Sequence, residues 1–210
     1  MSASAPMMGK ILAFSRNVDF MIRLYYGIAT FISRYGVIPP RKASKSAARL
    51  SDAQMFQAGY TLFISKVQTM KRVFQLFLMI YVFLYRLSGG RFGSQVQGLQ
   101  VLLLTSNGRK TNHKRTTPLG YFMDGDRYII IASNAGFDSH PAWFYNLSKN
   151  PRVLIEVGRQ KLQVEANIVE PGKRDLLWAK LVKLAPGYAG YERKTSRVIP
   201  LMALQPLTSQ

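Results

Sequence analysis

The stretch LGYFMDGDRYIIIAS, residues 119–133, contains two apolar runs separated by the dipeptide Asp-Gly. Asp-Gly is one of the strongest short signals of a β-hairpin, because both central positions of its tight turn need positive φ angles. We therefore place Asp124 and Gly125 in the turn of a hairpin. Its two strands are predicted over residues 116–123 and 127–133.

Four further segments in the second half of the chain have the short, apolar character of strands. They lie at residues 100–106, 152–157, 161–169 and 198–204, and Gly158 starts a second tight turn, Gly-Arg. Six short strands joined by turns favour an antiparallel sheet that closes, or nearly closes, into a small barrel. The predicted fold class is α+β, with about six antiparallel strands and flanking helices.

Two helices interrupt the predicted strands. In HPAWFYNLSKN, residues 140–150, Pro141 stands at the first helical position, where its missing N–H costs nothing. The segment PGKRDLLWAKLVKLAPGY, residues 171–188, has the pattern of an amphipathic helix, and we expect this helix to stop at Pro186. These segments are the flanking helices of the predicted barrel.

The chain changes character at the glycine-rich segment LSGGRFG, residues 87–93. Up to residue 90 there are 12 Lys+Arg and 2 acids, so this part of the chain is almost free of negative charge. Residues 1–86 are predicted to form a basic helical N-terminal region, with one helix over residues 17–36. Residues 87–210 are predicted to form the barrel domain.

A second N-terminal helix is predicted to begin at Ser51 or Asp52, since either side chain can cap free backbone amides. Only 13 residues without charge lie between Arg72 and Arg86. A helix of that length covers about 20 Å, whereas the hydrocarbon core of a bilayer is about 30 Å thick. A helix lying in the membrane interface and a helix packed on the main domain both fit this pattern.

The composition excludes several kinds of chemistry. The chain has 29 Lys+Arg against 10 Asp+Glu, a net charge of +19, which attracts nucleic acid, anionic lipid or phosphorylated ligands. Because there is no cysteine, disulfides, thiolate metal sites and cysteine nucleophiles are excluded. The two histidines, His113 and His140, lack the spacing of a zinc site, so no metal site is predicted. The sequence also contains no Gly-x-Ser-x-Gly motif, the nucleophile elbow of many hydrolases, so hydrolytic chemistry is not indicated.

The segment GRKTNHKRTTPLGYF, residues 108–122, concentrates positive charge without a single acid. Lys110, Lys114 and Arg115 are predicted on a loop that begins at a strand end, where Gly108 lets the backbone turn sharply. Arginine suits phosphate, because its planar guanidinium donates two parallel hydrogen bonds. The spacing differs from that of a Walker loop. We expect this loop to bind an anion, and a solvated hairpin is the alternative.

Aromatic residues at helical spacing accompany the cationic loop. Trp143 and Asn146 lie three residues apart, as do Tyr188 and Tyr191, so each pair shares one helix face. Aromatic rings together with a cationic loop suit a planar, phosphorylated cofactor. Packing in the protein core is the alternative role for Trp143 and for the two tyrosines.

Five segments occur in an order that resembles the deazaflavin-dependent nitroreductase family: GRKTNHKRTTPL, DGDRYIIIASNAG, HPAWFYNL, NPRVLIEVG and PGYAGYERKTSRVIPLMAL. The resemblance covers residues 87–206. It implies a split β-barrel similar to the flavin-reductase-like fold. It also implies binding of reduced coenzyme F-420, an 8-hydroxy-5-deazaflavin with a phosphate and an oligoglutamate tail. The cationic loop would then hold the anionic tail.

The same resemblance implies which residues line the coenzyme and the substrate. Tyr188 and Ser133 are expected to act in catalysis by donating a hydrogen bond to the acceptor oxygen as charge develops there. The expected cofactor-binding residues are Arg109, Lys110, Thr111, Arg115, Thr116, Thr117, Pro118, Leu119, Gly120, Ile131, Ala132, Ser133, Asn134, Ala142, Trp143, Phe144, Tyr145, Asn146 and Tyr188.

The resemblance implies an oxidoreductase that transfers a hydride from reduced coenzyme F-420 to a quinone, a nitroaromatic or another activated unsaturated acceptor. The alternatives are an FMN- or heme-binding split-barrel protein and a non-enzymatic module that binds anions or membranes. We expect no nucleic-acid partner, because the sequence contains no recognisable nucleic-acid-binding motif. The expected location is the cytoplasm, with the N-terminal helices on the anionic inner face of the cell membrane, where quinones partition. The sequence leaves the oligomeric state open.

Overall fold

A computed structural model describes residues 48–207 of the chain. The predicted helix at residues 17–36 therefore lies outside the described residues. The described helices are α1 (Ala48–Leu87), a 3-10 helix (Asn134–Gly136), α2 (Ala142–Lys149), α3 (Pro171–Leu184) and α4 (Gly187–Glu192). The strands are β1 (Gln95–Val96), β2 (Leu99–Asn107), β3 (Lys114–Asp124), β4 (Arg127–Ile131), β5 (Arg152–Val157), β6 (Gln160–Ile168) and β7 (Leu201–Pro206).

Six of the strands close into an antiparallel barrel, which confirms the predicted fold class. The strand order is β1-β2-β3-β4-β7-β6-β5, and β2 also pairs with β5, so the sheet returns on itself. Leu104 of β2 pairs with Thr117 of β3 on one side and with Ile155 of β5 on the other. Closure removes the exposed edges that an open sheet would leave.

Alternate residues of the six barrel strands meet in one apolar core. It contains fully buried side chains such as Leu104, Ile130 and Ile155, and helix α2 adds Trp143 and Leu147 to it. A second cluster lies where α3 and α4 pack on the outer face of β3, β4 and β7. The two-residue alternation of a strand produces both clusters, because successive side chains point to opposite faces.

The described residues divide into two compact units, residues 48–79 and residues 80–207. Within the second unit, the last turns of α1 pack on β2 through Tyr81 and Tyr85, which are almost fully buried. The Tyr85 hydroxyl donates to the Val101 carbonyl and accepts from the Gly158 amide. The domain boundary predicted at residues 86 and 87 remains a prediction. No helix between residues 48 and 207 has both the length and the apolarity to cross a membrane.

The hairpin between β3 and β4 exists, but its turn is one residue later than predicted. Asp124 ends β3 and pairs with Arg127, so Gly125 and Asp126 form the turn. Only Gly125 of these has a positive φ, 64°, which is the arrangement of a type II′ turn. The expectation of two positive φ angles, at Asp124 and Gly125, was therefore wrong.

Several other boundaries also differ from the sequence predictions, and three of them have an identifiable consequence or cause. Residues 48–50 already belong to helix α1, so Ser51 and Asp52 lie inside it and neither is its first residue. Strand β7 begins at Leu201 and not at residue 198, because Pro200 has no N–H to donate to a sheet. Helix α2 begins one residue after Pro141, whose ψ of 152° is extended.

Two glycines with open surroundings test the role of backbone conformation in this fold. A Cβ atom at Gly125 or at Gly172 would meet nothing within 4 Å, but only Gly125 has a positive φ. We expect Gly125→Ala to destabilise the protein by about 1 kcal/mol or more, because alanine is strained there. Gly172→Ala, in helix α3, should stabilise it by about 0.5 kcal/mol. Urea unfolding measures the free energy of unfolding of both variants. A change of the same sign in the two variants would contradict this account of the turn.

Candidate functional site

The cationic segment is a tight loop between two paired strands. Strand β2 ends at Asn107 and β3 begins at Lys114, so residues 108–113 form the loop. The Gly108 amide donates to the His113 carbonyl at 2.9 Å, and the Asn112 amide donates to the Gly108 carbonyl at 2.7 Å. These bonds hold the backbone in place while the side chains from residue 109 to 115 remain exposed.

The structure corrects two details of the predicted loop. Lys114 and Arg115 belong to β3 and not to the loop itself. The left-handed residue is Asn112, with φ 54°, whereas Gly108 has no positive φ. The role of Gly108 is to leave space, since a Cβ there would lie 3.0 Å from Thr111 Oγ1 and 3.4 Å from Arg115 Nε.

The cations of this segment are not neutralised by acids. Of the ion pairs between described residues, none involves a side chain from residue 109 to 115. Acids elsewhere are paired with other cations, such as Glu156 with Arg86 and Asp124 with Arg127 and Lys173. Within residues 48–207, the positive charge of this segment is therefore not compensated by an acidic side chain.

Helix α2 supports the loop through Arg109. The Arg109 amide donates to Asn146 Oδ1 at 3.0 Å, and Lys149 Nζ donates to the Arg109 carbonyl at 3.2 Å. The Arg109 guanidinium lies 4.5 Å from the centre of the Tyr145 ring, a cation–π contact. Asn146 is buried, with its amide 3.5 Å from Ser106 Oγ. Asn146 therefore fixes the loop, and its predicted contact with a cofactor remains a prediction.

Several predicted cofactor residues have side chains in the protein core. Trp143 and Phe144 belong to the barrel core, with their rings edge to face at 6.4 Å, and Ala132 is also buried there. Ile131 lies in the outer cluster under α3 and α4. The packing alternative considered for Trp143 thus describes its position. Ala142 and Tyr145 remain exposed on the same helix.

The segment after β4 carries Ser133 and has an unusual backbone. Asn134, Ala135 and Gly136 have φ angles of 47°, 54° and 83°, three left-handed residues in succession. Asn134 Oδ1 is buried without a hydrogen-bond partner among the described residues. A non-glycine residue in this region costs free energy unless its surroundings hold it in place. Arg197, which the sequence analysis did not single out, supplies these contacts.

Tyr188 stands beside the middle of β3. It is almost buried between α4 and the barrel, and its ring meets that of Tyr191 edge to face at 5.5 Å. A Cβ atom at Gly120 would lie 3.3 Å from the Leu99 side chain and 3.5 Å from the Tyr188 hydroxyl, so the absence of a side chain at Gly120 lets Leu99 and Tyr188 lie close to β3. Tyr191 has a structural partner, because its hydroxyl accepts from Gln97 Nε2 at 2.8 Å.

The predicted site residues thus occupy connected elements. The loop with Arg109, Lys110 and Thr111 rests on α2, and β3 runs from this loop, through Arg115, Thr116, Thr117, Pro118 and Leu119, to Gly120 beside Tyr188. Residues 116–120 are all partly exposed. A cavity of about 190 Å³ elsewhere in the unit, lined by Tyr85, Gln100, Tyr121 and Gly158 among others, contains none of the predicted residues.

Two residues of this region were missed by the sequence analysis as parts of a site. Arg197 and Lys149 make their main contacts with backbone carbonyls. No spacing rule indicates such contacts, because any residue type supplies a carbonyl. Between residues 48 and 207 there is also no group of three or more side chains suited to hold a metal ion.

The chain is similar to known proteins. A family model described as F420H(2)-dependent quinone reductase matches residues 78–206. The F420H(2)-dependent quinone reductase Rv1261c of Mycobacterium tuberculosis is 39% identical over 133 residues, which cover 60% of this chain and 88% of the relative. A solved structure of an F420-H2 dependent reductase, FDR-A, is 33% identical and matches 50% of this chain and 93% of its own, with a TM-score of 0.47.

The family model matches more than half of the chain, in the region that forms the barrel and its flanking helices. The match to Rv1261c extends over most of that relative's length. The chain therefore belongs to the F420H(2)-dependent quinone reductase family, and it is an oxidoreductase that uses reduced coenzyme F-420 to reduce a quinone.

Proposed function

We propose that reduced coenzyme F-420 lies along β3, with its anionic tail at the cationic loop and its ring near Tyr188. The observation that carries this assignment is the unneutralised charge of residues 109–115 at one end of β3. Lys114 and Gly120 are six residues apart on this strand and therefore share one face, at a separation of about 20 Å. An elongated molecule with a charged tail and a flat ring fits a strand of this kind.

The residues present suit both ends of the coenzyme. Exposed Lys110, Lys114 and Arg115, together with the hydroxyl of Thr111, are donors of the type that phosphate and carboxylate groups require. At the other end, Gly120 offers a surface without a side chain next to the Tyr188 hydroxyl. Asn134 Oδ1, buried without a partner among the described residues, is an additional acceptor for a polar group of the ring.

Bound reduced coenzyme F-420 supplies the hydride, and the protein supplies position and electrostatic stabilisation. We assign Tyr188 and Ser133 to the acceptor side. Their hydroxyls donate hydrogen bonds to the quinone oxygen on which negative charge develops. The low exposure of Tyr188 strengthens this interaction, since water competes less for the hydroxyl.

Nitroaromatic and other activated unsaturated acceptors belong to the same proposal, because they too develop negative charge on oxygen when a hydride arrives. FMN remains the alternative cofactor, since it also combines a flat ring with a phosphate. Titration of the purified protein with coenzyme F-420 and, separately, with FMN, followed by fluorescence, distinguishes the two. Saturable binding of FMN alone would reject the deazaflavin assignment.

We also propose that the end of α1 rests on the anionic inner face of the cell membrane, from which a quinone can enter. Within the unit of residues 80–207, Tyr81 and Tyr85 face the barrel while Ile80, Phe83 and Leu87 stay exposed. Apolar side chains on an otherwise basic surface are typical of helices that bind the membrane interface. This location would be cytoplasmic and peripheral.

Neutralisation of one cation tests the assignment of the coenzyme tail. We expect Arg115→Gln to weaken binding of coenzyme F-420 by about 10- to 100-fold, the usual cost of one hydrogen bond to a charged group. Arg159→Gln is the matched control, because Arg159 is an exposed arginine in the turn at the opposite end of the barrel. Fluorescence titration measures both constants, and equal affinities in the two variants would contradict the proposal.

Removal of one hydroxyl tests the acceptor side. We expect Tyr188→Phe to lower kcat for quinone reduction by about 100-fold, with little change in coenzyme affinity. Tyr191→Phe, one helical turn away, loses only the bond from Gln97 and should cost about 1 kcal/mol of stability but no turnover. Steady-state kinetics decides, and normal turnover of the Tyr188→Phe variant would remove Tyr188 from the reaction.

Vesicle binding tests the membrane proposal with the full-length chain. Phe83 is 63% exposed on α1 and Leu176 is 74% exposed on α3. We expect Phe83→Ser, but not Leu176→Ser, to reduce co-sedimentation with vesicles that contain anionic lipid, since only Phe83 belongs to the proposed membrane face. Equal pelleting of both variants and the wild type would reject the proposal.

A further inference from the structure

One arginine, Arg197, bonds to four acceptors of a single loop. Its Nε donates to the Phe137 carbonyl at 2.8 Å, and Nη2 donates to the carbonyls of Ala132 and Ser133 at 3.0 and 2.8 Å. Its Nη1 lies 3.0 Å from His140 Nδ1. Because a guanidinium only donates, His140 Nδ1 must accept here, and the ring is neutral in this arrangement.

The loop that Arg197 holds is the strained segment that follows β4. Three successive left-handed residues, 134–136, lie between its contacts with Ser133 and with Phe137. Such a backbone persists only where other contacts over-determine it. Arg197 therefore maintains a conformation that the loop would not adopt by itself.

The same contacts join this loop to the segment that carries Tyr188. Arg197 follows α4, and Thr195 Oγ1 donates to Asp138 Oδ1 at 2.9 Å. A Cβ atom at Gly136 would lie only 2.9 Å from the Tyr191 carbonyl, so the loop lies directly against α4. Ser133 and Tyr188 are thus carried by two segments fastened to each other around Arg197.

We propose that Arg197 is a positioning residue that holds Ser133 in place for reduction of the acceptor. The role of Ser133 rests on the proposed function. The clamp, by which we mean Arg197 and its four bonds to residues 132, 133, 137 and 140, rests only on the contacts of Arg197. Arg197 bonds to backbone carbonyls and to His140, so it acts through the shape of the loop.

Lysine at position 197 keeps the charge but cannot reproduce the planar set of donors. We expect Arg197→Lys to lower kcat for quinone reduction by about tenfold or more, as for a misplaced reacting group. The dissociation constant of coenzyme F-420 should change by less than about threefold, because the tail site at residues 109–115 is intact. Arg193→Lys is the matched control, since Arg193 is an exposed arginine of the same segment.

Hydrogen exchange provides a readout that does not depend on activity. The amides of Gly136 and Phe137 donate to the carbonyls of Ser133 and Asn134. In Arg197→Lys we expect these two amides to lose protection while the amides of the barrel strands keep theirs. If Arg197→Lys fails to fold, His140→Leu removes one of the four contacts and should give a smaller loss at the same amides.

In the wild-type protein, acidification removes the contact between Arg197 Nη1 and His140 Nδ1, because a protonated Nδ1 can no longer accept a hydrogen bond. Burial, and then the charge of Arg197, lowers the pKa of His140, so the contact is complete above the ordinary histidine range and is lost as pH falls through the lowered pKa. The charged and titratable groups around this pair are Asp138 of the loop and Tyr145 of α2. We expect wild-type kcat to fall at acidic pH relative to the kcat of His140→Leu, which has no such titration.

Each result decides the proposal. Loss of protection at residues 136 and 137 together with lower kcat and unchanged coenzyme affinity supports it. The proposal is overturned if the amides of residues 136 and 137 exchange hydrogen in Arg197→Lys as they do in the wild type. It is also overturned if these amides lose protection while kcat stays at the wild-type value. If the wild-type protein reduces no quinone, the proposed function fails. If hydrogen exchange at residues 136 and 137 is unchanged in Arg197→Lys, the clamp fails, whatever the activity.

Discussion

The pairing of β2 with strands on both of its sides is the constraint on which the rest of the structure depends. Strand β3 follows β2 in the chain, whereas β5 is joined to it only through space, at Leu103, Leu104 and Thr105. Helix α2 leads into β5, so closure of the barrel brings α2 to the end of β2. This is why Tyr145, Asn146 and Lys149 reach Arg109, about 40 residues earlier in the chain.

Acids and bases are paired unevenly over the described residues, and the loop after β2 takes part in none of the ion pairs. The few acids of the barrel domain are used where they hold the fold together. Glu156 is buried and paired with Arg86, and Glu192 and Asp175 are paired with Arg174. Low acid content alone gives a basic protein, and this pairing leaves the cations of residues 109–115 without an acidic partner among the described residues. The field there favours an anionic ligand at a defined place.

Much of the fold could be predicted from the sequence, because alternating apolar residues and glycine turns determine strands locally. The hairpins at Gly125 and Gly158 follow from this chemistry, as do all six barrel strands to within three residues at each end. The site was harder to predict, since Trp143 has the same residue type whether it packs or binds. Contacts such as those of Arg197 depend on chain segments about 60 residues apart, and no local pattern contains them.

Three of the four acceptors that Arg197 engages in the loop are main-chain carbonyls, which every amino acid possesses. Most of the bonds by which Arg197 holds this loop therefore do not depend on which side chains the loop carries. A substitution at Ser133 can change the side chain that the loop presents while the backbone course stays the same, whereas Asn134 is tied to the loop by its φ of 47° and by its bond to the Ser139 carbonyl. A loop held in this way can present different side chains within one architecture, without a redesign of the barrel beneath it.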